Sequence, residues 1–223
     1  QVTGGRQQKA VRRFENMDAM DHRKRCFWAN PQNELYIKYH DEEWGQPVYD
    51  DHRLFEMLIL ESFQAGLSWE CVLNKREAFR KAFDGFDLEK VCGYDAEKME
   101  ALRQDAGIIR NRLKIKAAVN NARIFKKIIE EFGSFSAYLW GYTGGEVIVE
   151  NDKASSPLSD AVSKDLKKRG MTFVGTTIIY AYLQAVGVIY SHDNECYLYK
   201  KKDIQKEELA KCPQGDPEEL SGK

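Results

Sequence analysis

Between Asp51 and Tyr190 the chain is written almost throughout at helical period, and only EVIVE, residues 146–150, alternates as a strand does. This pattern argues against sheet-based architectures and predicts an all-α fold. Asp51 is placed to cap a helix over 52–65 that Gly66 ends, and Ser68 to cap WECVLNKREAFRKAF. Asp95 opens AEKMEALRQ. After a break at DAG comes NRLKIKAAVNNARIFKKIIEEF, with Leu113, Ala117, Asn121, Ile124 and Ile128 on or near one stripe. Ser159 is expected to cap DAVSKDLKKR, and TTIIYAYLQAVGVIY reads as a nearly all-apolar helix belonging in the core.

A chain of 223 residues can form one domain or two small lobes and bury roughly 70% of its unfolded surface, so a core needs neither disulfide nor metal. The formal net charge of −1 gives no overall attraction to a polyanion, and any nucleic-acid surface must be local. No apolar run approaches the ~20 residues that span a bilayer, and the first residues lack the apolar centre of a signal peptide. The expectation is a cytoplasmic protein. The chain begins without methionine, with Met17 and Met20 as candidate natural starts. Residues 1–24 are expected to be an extension, 25–200 the folded domain, and 201–223 a charged tail. Five cysteines, an odd number in a chain that is not short, argue against a disulfide framework. Cys71 and Cys92 read as small buried residues on helices, and Cys212 falls in the tail.

Within LFEMLILESFQAGLSW, residues 54–69, Glu61 stands in line with Leu54, Met57, Leu58 and Ala65, so its carboxylate points where a core normally lies. A carboxylate there needs partners or a purpose. Three further patterns carry chemistry. The loop DAGIIRNR, residues 105–112, joins two helices; its glycine permits φ > 0, and the next helix begins with backbone N–H groups able to hold phosphate. From Arg103 to Lys127 there are eight Lys or Arg and one acid, Asp105, which suits phosphate contacts or, equally, a solvated basic face. Cys26 and His40 lie near the start, His192 and Cys196 near the end at a spacing that suits one face of a helical turn; together they suit a closed tetrahedral zinc site, or are four unconnected packed residues. Trp28, Tyr36, Tyr39 and Trp44 crowd CFWANPQNELYIKYHDEEWG, and Trp69 follows Glu61 beyond a glycine. Aromatics of this kind pack a core or, with an acid, hold a flat cationic base.

Taken in order, RCFW, YIKYHDEEWG, LFEMLILESFQAGLSW, DAGIIR, SDAVSKDLKKRG, FVGTTI and the closing H-x3-C resemble the bacterial 3-methyladenine DNA glycosylase I family. The resemblance runs from about Arg25 to Cys196. It implies an all-α helix-hairpin-helix glycosylase fold of two helical lobes, with the chain ends tied by one structural zinc on Cys26, His40, His192 and Cys196. It implies a hairpin gripping DNA phosphate through Gly107, Ile108, Ile109, Arg110 and Arg112. The base pocket it implies is built from Glu61, Tyr39, Trp69 and Trp28, with Glu61 as the catalytic residue; Gln64 could line it, whereas Trp44 reads as packing.

The activity so implied is base-excision repair: 3-methyladenine is flipped out of alkylated double-stranded DNA and hydrolysed off to leave an abasic site, by a DNA-associated monomer. The helix after the hairpin reads IFKKIIEEF, without the aspartate common in the superfamily, and Glu130 and Glu131 read as a solvated helix end. The lysine of lyase-active relatives falls near Asn111, which implies hydrolysis without strand cleavage. Ser62 departs from the glycine expected after the pocket acid, which bears on backbone clearance there. The alternative is a zinc-stabilised DNA-damage-binding protein without glycosylase activity; a plain helical interaction module would require the metal quartet to be coincidental.

Overall fold

The computed structural model describes residues 23–199. Nearly all of the expected N-terminal extension and the whole charged tail, Cys212 included, lie outside the described residues. The elements are α1 (Glu34–Glu42), α2 (Asp51–Gln64), α3 (Trp69–Leu73), α4 (Arg76–Ala82), a 3-10 turn (Asp84–Phe86), α5 (Leu88–Cys92), α6 (Ala96–Gln104), α7 (Arg112–Phe132), α8 (Phe135–Gly141), β1 (Ile148–Val149), α9 (Pro157–Lys168), α10 (Thr176–Ala185) and β2 (Ile189–Tyr190).

Helix α2 is the axis of the packing: all ten residues from Leu54 to Phe63 are buried, and α7, α8 and α10 lie against it. Its second, Phe-rich contact continues through Phe63, Phe79, Phe83 and Phe86, whose rings stack or meet edge-on. Burial on every side follows from a helix apolar at nearly every position after its first turn. Glu61 is therefore not on the only buried face. What separates it from Glu56, also buried, is its lack of partners, described below.

Caps explain where the elements begin, with two departures from the sequence expectation. Asp50, not Asp51, caps α2 by accepting the Arg53 N–H at 2.8 Å. Asp51 reaches across to accept the N–H groups of Phe135 and Ser136 at 2.9 and 2.8 Å, holding the start of α8. Two neighbouring acids compete for one cap, and the local pattern alone does not decide between them. Likewise Ser156 caps α9, with Pro157 at the first position, while Ser159 closes the capping box by returning its hydroxyl to the Ser156 N–H at 2.9 Å.

Two predicted helices end early. The run from Trp69 to Phe83 splits at Asn74–Lys75, where the first helix ends at Leu73 and Lys75, at φ −102°, ψ 0°, precedes the next. The apolar run from Thr176 stops at Ala185, and Ile189 and Tyr190 pair in parallel with Ile148 and Val149. Gly187 makes that turn possible: its φ is +71°, and a Cβ there would stand 2.3 Å from the Gln46 carbonyl carbon. Of the strand expected over 146–150, only Ile148 and Val149 form one. Leu113, expected on the α7 stripe, is 66% exposed in the first turn. Cys71 and Cys92 lie on helices but are only partly buried.

The two ends of the described chain meet. Val48 donates its N–H to the Val186 carbonyl at 3.0 Å, Tyr197 to Lys24 at 2.8 Å, and Phe27 to the Asp193 carboxylate at 2.8 Å. Among the described residues no helix is long and apolar enough to cross a membrane.

Candidate functional site

Glu61 opens on a cavity of about 240 Å³ lined by Trp28, Tyr36, Tyr39, Trp44, Glu61, Gln64, Trp69, Ala181 and Gln184. That is below the roughly 300–1,000 Å³ of drug-sized ligand sites and suits something the size of one base. The elements explain the convergence. Helix α1 supplies Tyr36 and Tyr39 one turn apart, α2 supplies Glu61 and Gln64 one turn apart, and Gly66 at φ +77° folds the chain so that Ser68 caps α3 with Trp69 first. Tyr39 and Trp69 stand 5.3 Å apart between ring centroids at 44°, forming an aromatic corner.

Three polar atoms of this cavity are unmatched. Glu61 Oε2, Gln64 Oε1 and Trp69 Nε1 are buried with no hydrogen-bond partner among the described residues. Buried polar groups are nearly always paired, so three orphans around one cavity mark a place for a polar ligand. A larger cavity of about 370 Å³, beside Phe132, Tyr138, Asp165 and Arg169, lacks this signature. There Tyr138 donates to Asp165 at 2.9 Å and Arg169 to the same carboxylate at 2.7 Å, so its polar groups satisfy one another.

Burial pushes the Glu61 carboxyl well above the ordinary range, with no charged neighbour offsetting it. Burial also raises the phenols, Tyr36 to about 12 and Tyr39 well above its usual value, with Glu61 adding to both. The tyrosines stay neutral, and a cation entering the cavity would draw Glu61 to its carboxylate form. Ser62 is also accounted for: its hydroxyl donates to the Leu58 carbonyl at 2.8 Å on its own helix.

Behind the aromatic wall lies a second cluster. The side chains of Cys26, His40, His192 and Cys196 are buried, and their ligand atoms all lie within 4.8 Å of one another. Cys26 Sγ is 3.4 Å from His192 Nδ1, and Cys196 Sγ is 3.5 Å from both His192 Nδ1 and His40 Nε2. Those separations are close to what a tetrahedral metal with bonds of about 2.0–2.3 Å requires. On its other ring nitrogen His40 meets Asp41 Oδ1 at 2.7 Å, and Arg25 in turn holds Asp41, an arrangement that aims Nε2 inward. His192 and Cys196 come together through a turn rather than a helix, the chain here leaving helical structure after Ala185. Cavity and cluster share walls: Trp28 packs 5.2 Å from His40, and Trp44 4.7 Å from His192.

The loop between α6 and α7 carries the third set. Gly107 does not adopt positive φ. Its missing Cβ matters for space instead, since one would lie 3.1 Å from the Ala78 Cβ. Its N–H is donated to Asp105 Oδ1 at 2.7 Å, and Ile108 is buried. The N–H groups of Ile109, Arg110 and Arg112 have no partner among the described residues. The basic run is also thinned by internal pairing. Arg103 binds Glu100, Lys126 binds Glu89, Arg123 donates to the Cys92 carbonyl and Lys114 is buried. Arg110, Arg112, Lys116 and Lys127 remain on the outer surface.

Comparison with known proteins bears on all three sets. The family model described as methyladenine glycosylase matches residues 28–199. The chain belongs to that family. It is 44% identical over 182 residues to DNA-3-methyladenine glycosylase 1 of Escherichia coli K12, spanning 79% of this chain and 97% of that protein. It is 42% identical over 178 residues to the DNA-3-methyladenine glycosylase of Haemophilus influenzae, 77% and 96% covered. Among solved structures, a 3-methyladenine DNA glycosylase I superposes with TM-score 0.75 at 43% identity, covering 79% of this chain and all of that one. The Staphylococcus aureus enzyme, solved to explain 3-methyladenine recognition, gives 0.73 at 36% identity, with 76% and 94% covered.

Within this methyladenine glycosylase fold, sequence reasoning overlooked several residues at the site. Gln184 and Ala181 line the cavity from α10; Gln184 is the lone strongly polar side chain in TTIIYAYLQA, and that was its available signal. Trp44, read as packing, both packs and lines the cavity. Lys114 lies three, four and seven residues before Ala117, Ala118 and Asn121, all buried, so the stripe logic applied to Glu61 would have singled it out.

Proposed function

We propose that this chain is a DNA glycosylase that flips 3-methyladenine out of alkylated double-stranded DNA and removes it hydrolytically, leaving an abasic site. The observation carrying the reading is the unpaired Glu61 carboxyl inside a base-sized aromatic cavity. Glu61 accepts hydrogen bonds from the exocyclic-amine edge of the base, Trp69 stacks on its face, and Tyr39 and Trp28 complete the walls. Methylation at N3 makes the base formally cationic within DNA. When the glycosidic bond breaks, its electron pair passes to the departing base, which leaves neutral and needs no protonation. Water adds to the oxocarbenium-like sugar carbon and loses a proton. The work left to the protein is extraction and orientation.

The helix–loop–helix from α6 through residues 105–111 into α7 serves as the helix-hairpin-helix element, with Ile109, Arg110 and Arg112 offering amides and charge to phosphate and Gly107 and Ile108 shaping the turn. The four-residue cluster suits one zinc ion of structural role. When bound, it staples the N- and C-terminal segments, and four protein ligands leave no position for water. Lyase chemistry is disfavoured: Asn111 is engaged as the α7 cap, and Lys114, the nearest buried amine, spends its N–H groups on carbonyls.

The deciding experiment is release of free 3-methyladenine from methylated duplex DNA by the full chain. Release without a borohydride-trapped protein–DNA adduct is the expected result. A folded, metal-loaded protein that binds damaged duplex yet frees no base would leave the non-cleaving damage binder as the better account.

A further inference from the structure

Helix α2 ends in an unusual way for a helix that carries a functional acid. Its C-cap, Ala65, makes no backbone capping bond, and its last turn contains no basic residue. The Gln64 carbonyl accepts the Leu67 N–H at 2.6 Å, which leaves the carbonyls on either side of it, and the partial negative charge they carry, in need of an outside partner. Lys114 is that partner. Its Nζ donates to the Phe63 carbonyl at 2.8 Å and to the Ala65 carbonyl at 2.6 Å, and the residue is 6% exposed. The two carbonyls bracket Gln64, a cavity residue, and lie two and four positions beyond Glu61. Immediately after them come Gly66, Leu67 and Ser68, which lead into Trp69.

Lys114 is anchored at its own end as well. Its backbone N–H donates to Asn111 Oδ1 at 3.1 Å, the side chain that caps α7 just after the 105–111 loop. One residue thus bonds to the cap of the phosphate-facing loop with its main chain and to the end of the cavity helix with its side chain. Lys75 adds a lighter contact to the same loop, reaching the Gly107 carbonyl at 3.2 Å.

We infer that Lys114 is a positioning residue that couples the DNA-gripping loop to the base cavity, fixing the Glu61-to-Trp69 segment relative to bound phosphate. It does not act on the charge of Glu61, whose shifted carboxyl is explained by burial alone. Nor does it touch the base, since it is not among the cavity-lining residues. Its effect is mechanical: the flipped base must arrive in a pocket whose distance from the phosphate grip is set, and misplacement of about 1 Å can cost about 100-fold in rate.

The inference rests on the glycosylase reading, and the test separates the two. Lys114→Met keeps all but the last atom of the side chain's length and removes the donors. Wild type and variant are compared for single-turnover release of 3-methyladenine from methylated duplex, affinity for undamaged duplex, affinity for free 3-methyladenine by tryptophan fluorescence, and Tm. The expected result is release slowed by about tenfold or more, with both affinities within about threefold of wild type. A folded variant that releases base at the wild-type rate overturns the coupling, as do parallel losses in all three functional readouts, which would mark a merely structural lysine. If Lys114→Met does not fold, Lys114→Gln, with two N–H donors on a shorter side chain, carries the same comparison. Failure of wild type itself to release base would count against the glycosylase reading instead.

Discussion

Glu61 and Trp69 line the same cavity, one with a buried acceptor and the other with a buried donor, and no hydrogen bond joins them or satisfies either within the described residues. A pair left open in this way is held apart by its scaffold: α2 fixes one, the Gly66 turn and the Ser68 cap fix the other. Such preorganisation favours a ligand that brings its own donors and a flat face. Glu61→Gln keeps the shape and removes the charge. The expected outcome is 3-methyladenine release reduced at least about tenfold, a loss above ~1.4 kcal/mol of transition-state stabilisation, at unchanged affinity for undamaged duplex. Equal release by the two proteins would remove Glu61 from the site.

The same carboxyl makes a stability prediction of opposite sign. Burial raises its folded pKa well above 4.5, so the folded state holds the proton more tightly than the unfolded chain. The benefit of the neutral form is fully present below about pH 4.5 and is lost as pH rises toward the raised folded value. Glu61→Gln abolishes that slope. It is expected to raise the Tm of the protein near neutral pH, by about 1 kcal/mol of stability, with the gain shrinking in acid. Thermal melts of both proteins from acid to neutral pH give the comparison, and a variant less stable than wild type at every pH would contradict it.

How much of this was legible beforehand depends on which interactions are local. Asp95 and Ser68 act as helix caps within their own turns, and the helical class follows from periodicity alone. Asp51 and Lys114 act across 84 and 51 residues, on α8 and α2, and no window of sequence contains both partners. The Gly107 expectation failed for a related reason. The pattern allowed a turn glycine, whereas the constraint is space: a Cβ there would stand 3.0 Å from the Asp105 carboxylate, and 3.1 Å from Ala78 on another helix that no local pattern contains. The metal quartet is the converse case: four weak, scattered signals became one cluster because the chain ends hydrogen-bond to each other.

Metal removal tests that cluster. If a zinc ion is held by Cys26, His40, His192 and Cys196, stripping it with a chelator removes a folding ligand. A loss of about 4 kcal/mol, equivalent to a Tm drop of about 10 °C, is expected for a site saturated about a thousandfold above its Kd. Asp41→Ala should weaken the metal by about 10–100-fold without touching a ligand, because it frees the His40 ring that Asp41 now orients at 2.7 Å. Metal content of the purified proteins and melts with and without chelator check both. A Tm indifferent to chelation in a protein shown to contain the metal would argue against a stapling role.

The outer basic residues predict salt behaviour. Arg110 is exposed, carries no ion-pair partner among the described residues and follows the open amide of Ile109. Arg110→Ala should weaken damaged and undamaged duplexes alike and lower the slope of log affinity against log salt by about one unit. Arg103→Ala, by contrast, removes a side chain already bound to Glu100 at 2.6 Å and should leave that slope nearly unchanged. Titrations at several salt concentrations distinguish the two, and equal slopes for both variants would displace the contact from the 105–112 loop.

A last prediction concerns the charge network beneath the cavity. Arg76 donates to Glu56 at 2.8 Å and to Glu43 at 2.7 Å, so it ties the end of α1, which bears Tyr39, to α2, which bears Glu61. Arg80 adds a 2.8 Å bond to the same Glu56 oxygen. Burial pushes the Glu56 carboxyl up, but the two guanidiniums outweigh it and hold the carboxyl below its usual value. Its contribution is therefore present above about pH 4.5 and lost as pH falls through the lowered value. Glu56→Ala leaves Arg76, 7% exposed, without one of its two carboxylates, and should cost about 3–5 kcal/mol. Adding Arg76→Met should recover part of that loss, because the buried guanidinium it removes is then only half compensated, even though its contact with Glu43 goes too. Chemical denaturation of the two single variants and the double variant measures the coupling. A double variant as unstable as the sum of the singles would mean that the pair contributes nothing jointly, and that the Tyr39 helix is held against the Glu61 helix by packing and by the Arg53–Glu43 pair at 3.3 Å.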